Sequence, residues 1–235
     1  MITSRDNEKL KLVRKLGDRR WRDKLGLFVA EGEDLVESAA SVGIQPVELL
    51  VAGDNVEPAL LAEVSALGHP ARVIGVFRRG ELPRGAAPEV GLALWRVADP
   101  GNVGTLIRAA DALGPAFVAL SPGCADPTGP RALRGSMGAV FRVPLVELED
   151  APRPWIALVP EGGKQLPDVA GVERATFILG AEREGLPPEL VARCDETATI
   201  PLAPGADSLN VAMAGTIALY ERRRTTARHP ADSRP

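Results

Sequence analysis

Three short segments hold the residues of this 235-residue chain whose types and spacing could do chemistry. The first is Asp99-Pro100-Gly101-Asn102-Val103-Gly104-Thr105-Leu106-Ile107-Arg108, which sets an amide and a guanidinium about one and a half helical turns apart. The second is Gly180-Ala181-Glu182-Arg183-Glu184-Gly185-Leu186, and the third is Ile200-Pro201-Leu202 followed by Ser208-Leu209-Asn210-Val211. Pro fixes φ while Gly and Asn tolerate left-handed backbone, so Asp99 to Asn102 reads as a turn. It follows an almost continuous apolar run, Val90 to Val97, as expected of a parallel strand covered on both faces. Open α/β sheets place their ligands at the carboxyl ends of such strands, where Asn102 and Arg108 would lie. Gly180 allows a ligand to approach its backbone closely, and Glu182 can accept from a hydroxyl or a backbone amide. Ser208 is a natural N-cap for the last helix, whereas Asn210, in its first turn, is a poor helix-interior residue. Ile200, Leu202 and Leu209 would supply an apolar wall with few polar anchors.

In a fourth block, Arg131-Ala132-Leu133-Arg134-Gly135-Ser136-Met137-Gly138-Ala139-Val140-Phe141-Arg142, Arg131 and Arg134 with a serine and flanking glycines would make a phosphate-binding loop. Each segment also has a plainer reading when taken alone. These are a βα turn with a surface arginine, a strand-to-helix loop with a capping glutamate, a capping serine, and a helix stopped by Gly135 or Gly138.

The elements that must position these residues alternate between helix and strand. Asn7 to Leu16 is a basic amphipathic helix with Leu10, Val13 and Leu16 inward. Leu27 to Ala30, Val47 to Val51 and Arg72 to Phe77 are strands, and Glu33 to Ser41 and Ala59 to Leu67 are helices. Gly80 to Pro88 contains two glycines and two prolines and continues neither a helix nor a central strand. Beyond it, Phe117 to Leu120, Trp155 to Val159, Thr176 to Leu179 and Thr197 to Pro201 are strands. Val103 to Leu113, Pro130 to Met137 and Ser208 to about Arg224 are helices. The fold class is therefore α/β, with domain 1–82, linker 83–89, domain 90–226 and a tail, 227–235, expected to be disordered.

Composition removes several function classes. A hydrophobic content of 45% and a charged content of 25% are those of a soluble globular chain, and no apolar run reaches the ~20 residues of a membrane span. The first residues are charged from Arg5 onward and lack the apolar core of a secretory signal. Cys124 and Cys194, with His69 and His229, lack metal-site spacing, so neither a disulfide framework nor a metal is expected, and the compartment is expected to be the cytoplasm. The net charge of -3 conceals an asymmetry: residues 1–28 carry nine Lys/Arg against four acids. That surplus could hold phosphates through counterion release, with Lys11, Arg14, Lys15, Arg19 and Arg20 as contacts, or be a solvated helix face.

In this order and spacing, the three segments resemble the signature motifs of the SpoU (TrmH-type) ribose 2′-O-methyltransferases of the SPOUT superfamily, over the whole of residues 90 to about 224. The block around Arg131 and Arg134 is similar to a family segment between the first two motifs. Residues 1–80, with Phe28-Val29-Ala30-Glu31-Gly32 at a strand-to-helix entry, resemble an L30e-like RNA-binding domain. Ala181 stands where the family commonly has Asn, and Trp95 where an Asp often precedes the first motif.

The resemblance implies a trefoil-knotted methyltransferase domain, a homodimer, and methyl transfer from S-adenosylmethionine to a ribose 2′-hydroxyl, with ribosomal RNA favoured over transfer RNA. It implies that Leu179, Gly180, Glu182, Gly185, Ile200, Leu202 and Leu209 hold the cofactor, with apolar side chains against its adenine. It further implies that Arg108, Asn102, Glu182, Ser208 and Asn210 serve the chemistry, and that Arg131 and Arg134 contact RNA. Arg108 would act either in deprotonating the hydroxyl or in stabilising the alkoxide. The alternatives are a tRNA 2′-O-methyltransferase, a base methyltransferase, and an inactive RNA-binding protein on the same scaffold. A dinucleotide enzyme is disfavoured, because no Gly-x-Gly-x-x-Gly follows a first strand.

Overall fold

The computed structural model describes residues 1–66, 70–84, 88–205 and 208–228, with side chains to residue 225. The N-terminal helix α1 (Glu8–Leu16) is capped by Asn7, which accepts from the Lys9 amide, and it buries Leu10, Val13 and Leu16. A second helix, α2 (Arg19–Leu25), has no apolar periodicity and was not expected. Asp18 caps its start, Gly26 ends it in a left-handed conformation, and its one buried side chain is Arg22. Next come β1 (Leu27–Glu31), α3 (Glu33–Ser41), β2 (Glu48–Val51), α4 (Pro58–Val64) and β3 (Val73–Arg78). The strands form an antiparallel sheet in the order β1-β3-β2, with Phe28 opposite Phe77.

The C-terminal part contains β4 (Val90–Leu94), α5 (Pro100–Leu113), β5 (Phe117–Leu120), α6 (Pro130–Ser136), β6 (Leu145–Glu147), β7 (Trp155–Leu158), β8 (Lys164–Gln165), α7 (Leu166–Val169), β9 (Ala175–Leu179), α8 (Pro188–Val191), β10 (Glu196–Thr199) and α9 (Val211–Arg228). Its seven strands are all parallel, in the order β6-β5-β4-β9-β7-β10-β8. From β7 the chain passes to the edge as β8, returns between β4 and β7 as β9, and goes out again as β10. Because the strands are parallel, the loops after β4, β9 and β10 all leave the same edge of the sheet. β4 ends three residues before the expected Val97, and Arg96 takes a left-handed φ of 53°. α9 runs to Arg228, past the expected start of the tail. Residues 85–87 of the expected linker and residues 229–235 of the tail lie outside the described residues.

Contacts between the N-terminal part and the C-terminal one include an apolar set, an ionic set, and hydrogen bonds of Ser38, which donates to the Gly138 carbonyl at 3.2 Å and accepts from Arg142 Nη1 at 2.6 Å. The rings of Phe28, Phe77 and Phe141 pack together, with centroids 5.3–6.0 Å apart, inside one apolar cluster that also contains Leu35, Leu94 and Val140. The second is ionic. Arg22 Nε donates to Asp126 Oδ2 at 2.7 Å, and Arg79 Nη2 donates to the same oxygen at 2.5 Å. Thr128 gives the other oxygen, Oδ1, both its hydroxyl at 2.7 Å and its amide at 2.9 Å. Arg22 Nη1 is satisfied by the Leu16 and Gly17 carbonyls. This network pins α2 to the loop that follows β5.

Candidate active site

At the carboxyl edge of the sheet, Asp99 caps α5 by accepting from the Asn102 amide at 2.9 Å, which holds the Asn102 side chain at the helix mouth. Asn102 Nδ2 donates to Glu182 Oε1 at 2.9 Å, and Asn102 Oδ1 accepts from Asn210 Nδ2 at 3.2 Å. Asn210 Oδ1 accepts from the amides of Ala212 and Met213, at 2.9 and 3.3 Å. Asn210, and not Ser208 as expected, therefore caps α9. The helix begins at Val211, so Ser208 lies too far upstream to reach its free amides. This corrected cap also explains why a poor helix former stands at 210.

The cap orients the rest of the chain of bonds. Asn210 must turn its oxygen to the helix amides, which leaves its nitrogen for Asn102 and the Asn102 nitrogen for the carboxylate. The line of donors ends at Glu182, whose second oxygen has no partner among the described residues and can accept from an incoming hydroxyl. Three residues, from the first turn of α5, the loop after β9 and the cap of α9, are thus locked into one polarised row.

Beside this row lies a cavity of about 600 Å³, a size typical of small-molecule sites. Leu158, Ile200, Leu202 and Leu209 give it apolar walls, and the backbone from Leu179 to Leu186 forms its rim. Every residue expected to hold a cofactor (Leu179, Gly180, Glu182, Gly185, Ile200, Leu202 and Leu209) lines it, together with Ser208 and Asn210. Apolar walls with a polar rim suit a flat heterocycle attached to a charged chain. Gly180 also meets a steric demand of its own loop. A Cβ there would lie 2.2 Å from the Gly185 carbonyl carbon and 2.5 Å from the Leu186 amide. The glycine admits the returning strand of its own loop.

Arg108 does not join the row. It lies on the exposed face of α5 and makes no hydrogen bond or ion pair among the described residues. Helix geometry sets it ~9 Å along the axis and ~120° around it from Asn102. Arg131 stands beside the start of α5, 3.6 Å from Asp99, and Arg134 is exposed. The expected phosphate loop is altered in one respect: Ser136 is buried and donates to the Leu133 carbonyl, so it is not available to a phosphate.

The N-terminal basic face is partly neutralised by carboxylates that a count along the sequence does not reveal. Lys11 pairs with Glu8, Arg14 with Glu63, and Arg19 with Asp23, while Lys15 and Arg20 have no carboxylate partner among the described residues. Among those residues, no cluster of three or more His, Cys, Asp or Glu could hold a metal ion, and no helix is long and apolar enough to cross a membrane.

Comparison with known proteins covers both parts of the chain. Residues 89–220 match the model of the SpoU rRNA Methylase family, and residues 7–79 match the MRM3-like substrate binding domain. The chain is 33% identical to the 23S rRNA (guanosine(2553)-2′-O)-methyltransferase RlmP of Bacillus subtilis, over 94% of this chain and 98% of that one. It is 29% identical to the 23S rRNA (uridine(2479)-2′-O)-methyltransferase of Streptomyces viridochromogenes, over 97% and 93% of the two chains. The AdoMet-bound rRNA methyltransferase from Sinorhizobium meliloti superimposes with a TM-score of 0.84 at 30% identity, covering 95% of this chain and 97% of that one.

Proposed function

As a member of the SpoU rRNA methylase family the chain is an RNA methyltransferase, and we propose that its acceptor is a ribose 2′-hydroxyl of ribosomal RNA. The observation that carries this reading is the row Asn210–Asn102–Glu182, which ends in a free carboxylate oxygen at the rim of an apolar cavity. Two relatives, from Bacillus subtilis and Streptomyces viridochromogenes, are named as 23S rRNA 2′-O-methyltransferases, and the Sinorhizobium meliloti structure holds AdoMet.

The cavity suits S-adenosylmethionine. Leu158, Ile200, Leu202 and Leu209 would cover the adenine, and the loop from Gly180 to Leu186 would take the polar part at its rim. When bound, the cofactor supplies an electrophilic methyl on sulfonium. The chain then has to hold a weakly nucleophilic hydroxyl in line with that methyl and favour its loss of a proton. Holding reactants in near-attack geometry lowers the barrier by avoiding an entropic cost. Asn102 and Asn210 fix Glu182 in this role, and Ser208 shapes the neighbouring rim. A guanidinium is a poor base, so the contribution assigned to Arg108 is electrostatic: it stabilises the developing alkoxide or holds the adjacent RNA phosphate. Arg131 and Arg134, with the N-terminal Lys11, Arg14, Lys15, Arg19 and Arg20, would contact the RNA backbone.

Gly180→Ala should weaken S-adenosylmethionine binding at least tenfold, since the added methyl meets backbone that cannot yield without opening the loop. Isothermal titration with the cofactor reads this directly, and an unchanged Kd would remove the loop from the binding site.

A second copy of the chain belongs to this reading. Met213, Ile217 and Tyr220 are exposed in one stripe along α9, 60%, 37% and 55% accessible, on a helix packed against α5. The double substitution Met213→Glu, Ile217→Glu is expected to halve the mass seen in sedimentation and to lower activity. Sedimentation of the unsubstituted chain as a monomer would contradict the homodimer. The substrate class is tested with labelled S-adenosylmethionine and separated RNAs from cells lacking the protein. Label is expected in ribosomal RNA, and label confined to transfer RNA would overturn that choice.

A further inference from the structure

Helix α2 carries a tryptophan, Trp21, that belongs to no apolar cluster of buried residues. Trp21 is half-buried, and the ammonium groups of Lys15 and Lys24 lie over its ring, 5.2 and 5.1 Å from the centroid. A second tryptophan in the chain shows what a structural version of this contact looks like. Trp155 is buried, its indole donates to the Ala151 carbonyl, and the two arginines over it, Arg153 and Arg193, are paired with Asp195 and Glu149. At Trp21 neither lysine has a carboxylate partner among the described residues. A partly exposed indole with two unneutralised ammonium groups over its ring, on side chains long enough to swing aside, is complementary to a group that offers both an aromatic face and negative charge. An unpaired nucleotide has both.

The helix is also placed for such a task. Its other side is fixed by the buried Arg22–Asp126 pair to the loop after β5, whose strand neighbours β4. A nucleotide held on α2 is therefore held at a set distance from Asn102 and Glu182.

We propose that Trp21, between Lys15 and Lys24, is a stacking platform that captures an unpaired base of the substrate RNA. The proposal rests on the RNA-methyltransferase reading for its ligand class, but its test needs neither cofactor nor methyl transfer. The full chain is titrated into a single-stranded oligoribonucleotide carrying 2-aminopurine, whose fluorescence falls when it stacks on an aromatic ring. The unsubstituted chain and Trp21→Phe should quench it. Trp21→Ala should lose the quench and bind about tenfold more weakly, the scale of one stacked base. Lys15→Gln with Lys24→Gln should keep the quench while flattening the dependence of affinity on salt. Melting temperature is expected to be unchanged in all variants, which separates loss of the platform from loss of fold. A Trp21→Ala chain that quenches and binds like the unsubstituted one would overturn the proposal, as would an unsubstituted chain that never quenches. Either failure would leave the methyltransferase reading standing, because methyl transfer is measured separately.

Discussion

Arg108→Ala is expected to reduce methyl transfer by about two to three orders of magnitude while S-adenosylmethionine binds as before. That is the scale of removing one donor to a developing oxyanion. The split between the two readouts follows from position. Arg108 sits on α5, away from the lining of the cavity, and is tied to no carboxylate among the described residues. Its removal therefore touches neither the cofactor walls nor an ion pair of the fold. Arg108→Lys should recover only part of the lost rate, because a point charge lacks the planar fork that matches phosphate or alkoxide oxygens. Single-turnover rates at saturating cofactor measure both variants. Near-normal turnover in Arg108→Ala would remove the residue from the chemistry, and a parallel loss of cofactor affinity would assign it to the pocket.

Asp126→Ala should destabilise the fold by about 3–5 kcal/mol, because it leaves the buried Arg22 guanidinium without its counter-charge. For a chain of this length that corresponds to a fall in Tm on the order of 10 °C. Replacing both partners, Arg22→Met with Asp126→Leu, should cost less, since Arg79 keeps Asp23 and the Thr128 donors are the groups left without their acceptor. Burial pushes the Asp126 carboxyl up, but the hydrogen bonds from Thr128 and Arg22 and the charge of Arg79 outweigh it and hold the group below its ordinary value. A depressed carboxylate stabilises fully above the unfolded value of ~3.9 and loses that contribution as pH falls through the folded one. Asp126→Asn should therefore lack the part of the acid-unfolding slope that lies below about pH 4. Thermal melts across pH 2–7 read both effects. Equal melting of the alanine variant and the unsubstituted chain would show that the pair does not hold the two sheets together.

Much of this arrangement was legible in the sequence for identifiable reasons. Strands such as Phe117–Leu120 declared themselves as short apolar runs, and helix Glu33–Ser41 through its apolar spacing. The row Asn102, Glu182 and Asn210 could be nominated from its motifs, yet the partner of each residue could not, since the contacts join positions 80 and 108 residues apart. The cap of α9 was misplaced because Ser208 and Asn210 both satisfy the local rule, and only the path of the loop selects between them. Helix α2 went unseen because it buries an arginine instead of an apolar stripe. Its anchor, Asp126, lies 104 residues away. At Gly180 the sequence shows that a side chain is missing but not what fills the space, and the structure places the backbone of Gly185 and Leu186 there. Strand order gives the crossings at the carboxyl edge, which hydrophobic periodicity does not carry, and general topology argues against threaded chains.

The most direct test of the ribose assignment is nucleoside mass spectrometry of ribosomal RNA from cells lacking the protein, after incubation with the purified chain and methyl-labelled S-adenosylmethionine. The label should appear in a single 2′-O-methylnucleoside, with its mass on the sugar fragment, and should be absent when Arg108→Ala replaces the unsubstituted chain. Label on the base fragment would contradict the assignment while leaving the fold and the cofactor site in place.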